Sequence, residues 1–438
     1  MVSDLVKQKK ATVHTLGCRL NQSESQIIRE KLEEAGYRYV PFGDRADLAV
    51  INTCTVTREA DAKCRQAIRQ FIRANPRAFT AVVGCYSQMG AKAIAEIDGV
   101  DLIIGNQDKL SVLDYVGHGK NERPLIVRDR IDRDDFSIHF VGDQPFEKRA
   151  NLKIQDGCNF MCSFCIIPFA RGRARSRDYN NLMCEAQSLV DRGVREIILT
   201  GVNIGTYNNH DCDILSIVDH FNAIAGLSRI RISSIEPTTI PVVLLERMAD
   251  PVHALLPYLH IPLQSGSNKI LHLMRRKYTI SDFVKFINSA VKRVPGLCIG
   301  TDILTGFPGE GEKEFDETCR VFLDNPFAYC HVFTYSEREG TPAVRQPEIV
   351  PVPERNCRGA YLRRLSAKKR YNYYESYLGK TVEVLFEDRR QGVWPGYTGN
   401  YIRVVSESSQ DLTNRLARVR LEKISADFVE GSLVEVLN

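Results

Sequence analysis

No stretch of this 438-residue chain is apolar for long enough to cross a bilayer, and its opening, MVSDLVKQKKATVHTLGC, holds no apolar block of the kind a secretion signal carries. Neither export nor a membrane partner is therefore expected, and a reducing, cytoplasmic setting is. A strong charge of one sign is missing too. Lys and Arg number 59 against 54 Asp and Glu, a formal net charge of +5 that permits a polyanionic partner without demanding one. Thirteen cysteines are an odd count, which fits a disulfide framework poorly and leaves thiols or metal ligands. With 43% apolar and 26% charged residues the balance is that of a soluble globular protein, and the length exceeds what one core fills, so two or three domains are expected.

The most informative absence is that of a fourth cysteine. GCNFMCSFC (157–165) sets Cys158, Cys162 and Cys165 in one short stretch with no histidine near it. A structural zinc site needs four protein ligands. Three thiolates can instead hold three irons of a [4Fe-4S] cluster and leave the fourth iron open, as catalytic metal sites do. Phe160 and Phe164, interleaved with the cysteines, would keep such a cluster dry or simply pack.

Residues 9–120 read as an N-terminal domain in which strands and helices alternate. TVHTLGC (12–18), LAVINTC (48–54), TAVVGC (80–85) and DLIIGN (101–106) are strand-like, with helical stretches at 21–35, 59–73 and 87–97. This repetition predicts an open, flavodoxin-like parallel sheet covered on both faces. Cys18, Cys54 and Cys85 each end a strand, where open α/β sheets bind ligands. Either the fold brings three distant thiols together, or they are small buried residues capping apolar strands. Cys64 lies inside a helix and does not share the pattern.

The polar stretch 121–143 reads as a linker. From 144 to 375 six more strand-like segments, ANLKIQDG, REIILTG, RIRISSIE, PYLHIPLQ, LCIGTDILTG and AYCHVFTYS, alternate with helices, which predicts a partial (β/α)6 barrel with its site on the loops after the strands. GCNFMCSFC follows the first of them. Residues 376–438 change to short β segments with Gly, Pro and Asn turns, predicting a small antiparallel β-barrel. The fold class expected is α/β throughout the first two units.

A CxxxCxxC loop at the mouth of six βα units resembles the radical SAM superfamily, in which S-adenosylmethionine chelates the fourth iron. That resemblance implies that an electron from the cluster cleaves S-adenosylmethionine to a 5′-deoxyadenosyl radical, which abstracts a substrate hydrogen. Polar residues near strand ends are then candidates for holding the cofactor: Thr200, Gly201 and Asn203 in LTGVN, Ser233, Ser234 and Glu236 in ISSIE, Gln264 and Ser265 in LQSGS, and Asp302 in TDILTG. Each is equally a plausible cap or backbone partner.

Motifs along nearly the whole chain, TLGCRLNQSES, INTCTV, VVGCYSQ, IQDGCNFMCSFCIIPFARGRARSR, ILTGVNIG, RISSIEP, HIPLQSGS, MRRKYT, GFPGE and HVFTYS, resemble those of the radical SAM methylthiotransferases in the same order. The resemblance implies that Cys18, Cys54 and Cys85 hold a second [4Fe-4S] cluster for sulfur insertion. It also implies two uses of S-adenosylmethionine, as methyl donor and as radical source, with an external electron donor such as flavodoxin or ferredoxin and a sulfur source. No side chain declares itself as the acid or base. The stretches HTLGCRLNQSES, MRRKYT and GYTGNYIRV look most like the class acting on threonylcarbamoyladenosine beside the tRNA anticodon. The isopentenyladenosine class usually reads YGCQMN, and the class acting on a ribosomal-protein aspartate LGCPKN.

The C-terminal unit resembles the RNA-binding TRAM domain. With eight basic and nine acidic residues it is no general polyanion magnet, so specific contacts from Arg403, Arg415, Arg418 and Arg420, with Tyr397 and Tyr401 for stacking, are expected to matter. Phosphate contacts are also expected from Arg171, Arg173, Arg175 and Arg177 in RGRARSR and from the basic helix 355–374. A solvated charged face remains open for all of these, as does a non-enzymatic reading in which the cysteines hold zinc in an RNA-binding protein. Cys184, Cys212, Cys298, Cys319, Cys330 and Cys357 are too scattered for a third cluster.

Overall fold

The computed structural model describes residues 8–117, 119–140 and 149–437. In the N-terminal unit, strands β1 (Lys10–Thr15), β2 (Arg38–Tyr39), β3 (Leu48–Thr53), β4 (Phe79–Gly84), β5 (Leu102–Ile104) and β6 (Leu125–Val127) form one parallel sheet in the order β2-β1-β3-β4-β5-β6. Helices α1 (Arg19–Glu34), α2 (Arg58–Ala74) and α3 (Cys85–Ala95) make crossovers on both faces. β3 and β4 are therefore buried at every residue. Their alternate side chains feed two cores: Ala49, Ile51 and Val82 meet Phe71 and Ile94, while Val50, Ala81 and Val83 meet Ile28 and Leu32.

Strand β6 corrects the expectation of a linker over 121–143. Leu125, Ile126 and Val127 pair with Leu102, Ile103 and Ile104, covering what would otherwise be the open edge of a short buried strand. The boundary expected at 144 lies outside the described residues.

The central unit carries all six expected strands: β7 (Arg149–Lys153), continued by a short ribbon of β8 (Gln155–Asp156) and β9 (Arg175–Ser176), then β10 (Glu196–Thr200), β11 (Arg229–Ile232), β12 (Tyr258–His260), β13 (Cys298–Thr305) and β14 (Tyr329–Thr334). Two parallel three-stranded sheets, β11-β10-β7 and β12-β13-β14, are linked by a bridge between Ile230 and Leu255 into a partial barrel. Alternation decides what faces where. Ala150, Leu152, Ile197, Leu199, Ile299 and Ile303 join the core under the outer helices, which leaves Arg149, Asn151, Lys153, Glu196, Arg231 and Asp302 facing inward.

The helix Val352–Glu375 leads to the last unit, a closed barrel of β15 (Thr381–Phe386), β16 (Trp394–Thr398), β17 (Arg403–Ser406), β18 (Leu416–Ser425) and β19 (Phe428–Leu437) in the order β15-β16-β17-β19-β18. It is not wholly antiparallel as expected, because β17 and β19 pair in parallel. Five strands cannot alternate direction all the way round a closed ring, so one pairing must be parallel. No helix among the described residues is long and apolar enough to cross a membrane.

Candidate iron-sulfur and substrate site

The N-terminal cysteines sit on three neighbouring strands. Cys18 follows β1 and caps α1, Cys54 follows β3, and Cys85 opens α3 straight after β4. The sheet order reverses between β1 and β3, the place where doubly wound sheets leave a crevice. Gly17 lets the first loop close on the second. Its φ is +108°, and a Cβ there would stand 2.7 Å from Cys54 Cβ and 3.0 Å from its sulfur. Asn106 Nδ2 lies 3.5 Å from Cys85 Sγ, and the Cys64 thiol donates to the Cys54 carbonyl at 3.4 Å. Cys54 and Cys85 are buried, while Cys18 is exposed. Burial, aided by the neighbouring thiols, pushes Cys54 up to about 12.

The second triplet lies on the loop after β7 and β8. Gly157, with φ +69°, touches the Arg173 carbonyl so closely that any side chain would overlap it. Cys158 N donates to Gly172 O at 3.1 Å, and Ser163 N donates to Met274 O at 3.0 Å. Phe164 meets Phe307 edge-on in a small apolar cluster. Gln155 ties this loop to the next. Its Nε2 donates to the carbonyls of Asp156 and Gly157, and its Oε1 accepts from the backbone of Val202 and Asn203. Arg276 Nη1 lies 3.2 Å from Cys162 Sγ, and the same guanidinium pairs with Glu236. Burial pushes Cys158 up to about 11 and Cys165 to about 12, so the protons must leave as a metal arrives.

The donor sets fit iron-sulfur clusters better than zinc. Among the described residues, only His260, Asp302 and His331 place three candidate ligand atoms all within 4.8 Å of one another. Both cysteine triplets are spread more widely, whereas zinc with 2.3 Å bonds would gather its thiolates to about 3.8 Å. Ligands on separate irons of one cluster have no such need.

A buried charged joint connects the two triplets. Glu24 of α1 accepts from Arg171 (3.0 Å), Lys153 (2.8 Å) and Lys109, while Asp156 accepts from Lys153 (2.6 Å) and Arg171 (3.1 Å). Arg171 also reaches Asn21, and Lys109 reaches Asn106, the residue beside Cys85. Asp156 Oδ1 in turn accepts from Gly157 N, one residue before Cys158. Burial opposes the charge on Glu24, but Arg171, Lys109 and Lys153 outweigh it and hold the carboxyl well below its usual range. Arg338 adds a second tie, to Asp61 and Thr55. Glu24 belongs to the TLGCRLNQSES motif and Arg276 to MRRKYT, yet charge in a sequence does not reveal its distant partner.

The expected cofactor contacts divide. Asn203 is buried; its Oδ1 accepts from Thr239, and its Nδ2 has no partner. Gly201 packs against Gln155, and Ser233 N donates to Leu199 O. Glu236 faces Arg276, with burial raising its pKa above the usual value. Gln264 adopts φ +65° beside β13. The hydroxyls of Thr200 and Ser265 are directed elsewhere, to the Ile198 carbonyl and to Thr318. Asp302 is inside β13 rather than at its end: its carboxylate takes hydrogen bonds from His260 (2.8 Å) and His331 (3.3 Å), which override burial and lower its pKa.

For the arginines the structure corrects the expectation of a phosphate-binding run. Arg171 belongs to the buried joint, Arg177 is buried against Glu185, and Arg175 is buried near Phe136. Only Arg173 of the four is exposed. On the long basic helix, Arg355 and Arg358 turn inward to Glu337 and Glu310, leaving Arg363, Arg364 and Lys368 outside. Arg403, half-buried, and Arg418, exposed, are paired with Asp427 and Glu435, and Arg415 and Arg420 are exposed. Tyr397 and Tyr401 are not free for stacking. Arg149 lies 4.3 Å over the Tyr397 ring, and Tyr401 packs on Tyr258 (4.6 Å), Tyr397 and Arg231.

Fold and cysteine loop together define a radical SAM protein, and comparison with known sequences agrees. The Radical SAM superfamily matches residues 152–322, and uncharacterized protein family UPF0004 matches residues 10–105. A threonylcarbamoyladenosine tRNA methylthiotransferase MtaB of Bacillus subtilis is 40% identical over 97% of this chain and 96% of its own. Its counterpart from Aquifex aeolicus is 35% identical over 94% and 99%, and a tRNA-2-methylthio-N(6)-dimethylallyladenosine synthase of Clostridium novyi is 31% identical over 98% and 97%. Among solved structures, the radical S-adenosylmethionine methyltransferase TsrM from Kitasatospora setae shares the fold at a TM-score of 0.55, with 14% identity over 77% of each chain. The chain belongs to the radical SAM methylthiotransferase family.

Proposed function

We propose that this protein is a tRNA methylthiotransferase that converts N6-threonylcarbamoyladenosine beside the anticodon into its 2-methylthio derivative. The observation that carries the reading is the near full-length likeness to the Bacillus subtilis methylthiotransferase, 40% identical over 97% of the chain. In this reading Cys158, Cys162 and Cys165 hold the cluster that binds S-adenosylmethionine, and Cys18, Cys54 and Cys85 hold a second [4Fe-4S] cluster. When bound, these groups supply reductive cleavage of S-adenosylmethionine and a site for the incoming sulfur.

The chain's own residues do the rest. Gln155 sets the cysteine loop against the TGVN loop, so the cofactor's methionine end and adenine end would meet a rigid surface. Arg276 places a cation 3.2 Å from the Cys162 sulfur. The unpartnered Asn203 Nδ2 offers a donor to the cofactor, and Phe164 with Phe307 shields the loop from water. Arg173, Arg415, Arg418 and Arg420 remain outside for RNA phosphates, and Arg403 is half-buried beside Asp427. An external electron donor such as flavodoxin or ferredoxin and a sulfur source complete the reaction.

A mass-spectrometric nucleoside inventory of tRNA from cells with and without the gene tests this. Loss of the methylthio group from threonylcarbamoyladenosine alone is expected. Loss from dimethylallyladenosine instead, or an unchanged inventory, would remove the substrate assignment.

A further inference from the structure

Most of the arginines buried in and around the barrel face a carboxylate, Arg175 beside Phe136 being an exception. Arg171 has Glu24 and Asp156, Arg177 has Glu185, Arg231 has Glu196, Arg276 has Glu236, Arg338 has Asp61, and Arg358 has Glu310. Arg19, half-buried as a residue, also has none among the described residues. It is the residue directly after Cys18, and its guanidinium reaches into the floor of the barrel, where Nη2 donates to the Tyr401 hydroxyl while Nη1 is buried without a partner. An unpaired buried donor on a cation is expensive, so its persistence asks for a ligand.

The floor around it is short of negative charge. Arg19, Arg149, Arg229 and Arg231 share it with Glu196, Glu383 and Glu387, four cations against three carboxylates. Arg149 takes Glu387, and Arg231 and Arg229 share Glu196, which leaves Arg19 with no carboxylate beside it. Tyr258 and Tyr329, hydrogen-bonded to each other at 2.7 Å, supply hydroxyls rather than carboxylates. A second unpartnered atom, Asn151 Oδ1, lies on the inward face of β7 between Arg149 and Lys153 and offers an acceptor. Because a single hydroxyl holds the guanidinium, it can swing to an incoming group without breaking an ion pair.

We infer that Arg19 binds the carboxylate of the substrate's threonyl arm and is thereby the residue that selects the acidic nucleoside. The inference rests on the substrate reading above. A reacting adenine ring brought to the Cys18 side would carry its N6 arm within reach of the neighbouring residue, and a planar guanidinium matches a carboxylate bidentately.

The test uses the reconstituted holoenzyme and two anticodon stem-loops, one bearing threonylcarbamoyladenosine and one bearing its methyl ester, which keeps the shape and removes the charge. Equilibrium binding and kcat/KM are measured for both. The wild type is expected to prefer the acid by about 10- to 100-fold, Arg19→Gln to bring the two within about threefold, and Arg19→Lys to keep part of the preference. Iron content and thermal unfolding show whether the variants fold, and the wild-type comparison stands without them. Equal handling of acid and ester by a wild type that methylthiolates the acid would overturn the inference alone, as would an Arg19→Gln enzyme with undiminished preference. A wild type that leaves threonylcarbamoyladenosine untouched would sink the substrate reading and the inference together.

Discussion

The two cysteine triplets are assembled in opposite ways. Cys158, Cys162 and Cys165 come from a single loop, so backbone bonds within a dozen residues and the absence of a side chain at Gly157 suffice to aim them. Cys18, Cys54 and Cys85 come from three strands spread over 68 positions, and their meeting depends on the whole sheet β1-β3-β4 being in register. A local site tolerates distant damage; a site assembled by tertiary structure inherits every weakness of its domain. The difference also shows in support. The contiguous triplet has a cation at Cys162, whereas the assembled one is backed by the buried charges around Glu24 and by Gly17.

The sharpest way to separate the two is by single cysteine removal. In anaerobically reconstituted protein, Cys162→Ala should abolish S-adenosylmethionine cleavage and methylthiolation alike, by more than about a thousandfold, since the radical step is lost. Cys54→Ala should abolish methylthiolation while cleavage persists. Cleavage surviving in the first variant would remove the division of labour.

Breaking the joint between the triplets comes next. Glu24→Gln leaves Arg171, Lys109 and Lys153 with too little negative charge in a buried place and should cost about 3–5 kcal/mol in thermal or denaturant unfolding. A loss below about 1 kcal/mol would mean that the charges are solvated in solution.

Glycine variants compare the loops directly. Gly17→Ala meets both a strained φ of +108° and the Cys54 side chain, and is expected to lower iron bound by the assembled triplet while sparing the contiguous one. Iron analysis combined with electron paramagnetic resonance reads this. Equal losses at both sites would show that the domains fold as one unit rather than as two separable sites.

The smallest effect concerns the floor of the barrel. Glu196 is buried, yet Arg231 and Arg149 draw it down to about 2 from an ordinary glutamate value near 4.3. Its folded pKa is depressed, so its contribution, about 3 kcal/mol, is complete above roughly pH 5 and fades as pH falls toward 2. Thermal unfolding followed from pH 7 to pH 3 should show this loss in the wild type and not in Glu196→Gln. A parallel pH dependence in both would assign it to other groups.

Much of this was legible before any coordinates. Strand segments announced themselves as short apolar runs between turn residues, and the CxxxCxxC spacing by itself argued against a closed zinc site. Charge was where legibility failed. RGRARSR looks like a phosphate-binding run, but Arg171, Arg175 and Arg177 are buried, because a sequence shows how many charges there are and not which carboxylate awaits each one. Strand β6 failed for a related reason: three residues, Leu125–Val127, are too few to show a period, and only the open edge of β5 recruits them.

What the sequence determined by itself was local: the contiguous cysteine loop, the βα rhythm, and the glycines that permit sharp turns beside cysteines. These depend on neighbours a few residues away, and such information is written in order along the chain. Tertiary structure alone decided that Cys18, Cys54 and Cys85 face one crevice, that Glu24 gathers three cations from three segments, and that Arg19 ends without a carboxylate. Such pairings are settled by desolvation and distance across the fold, where residues more than a hundred positions apart compete for the same buried partner.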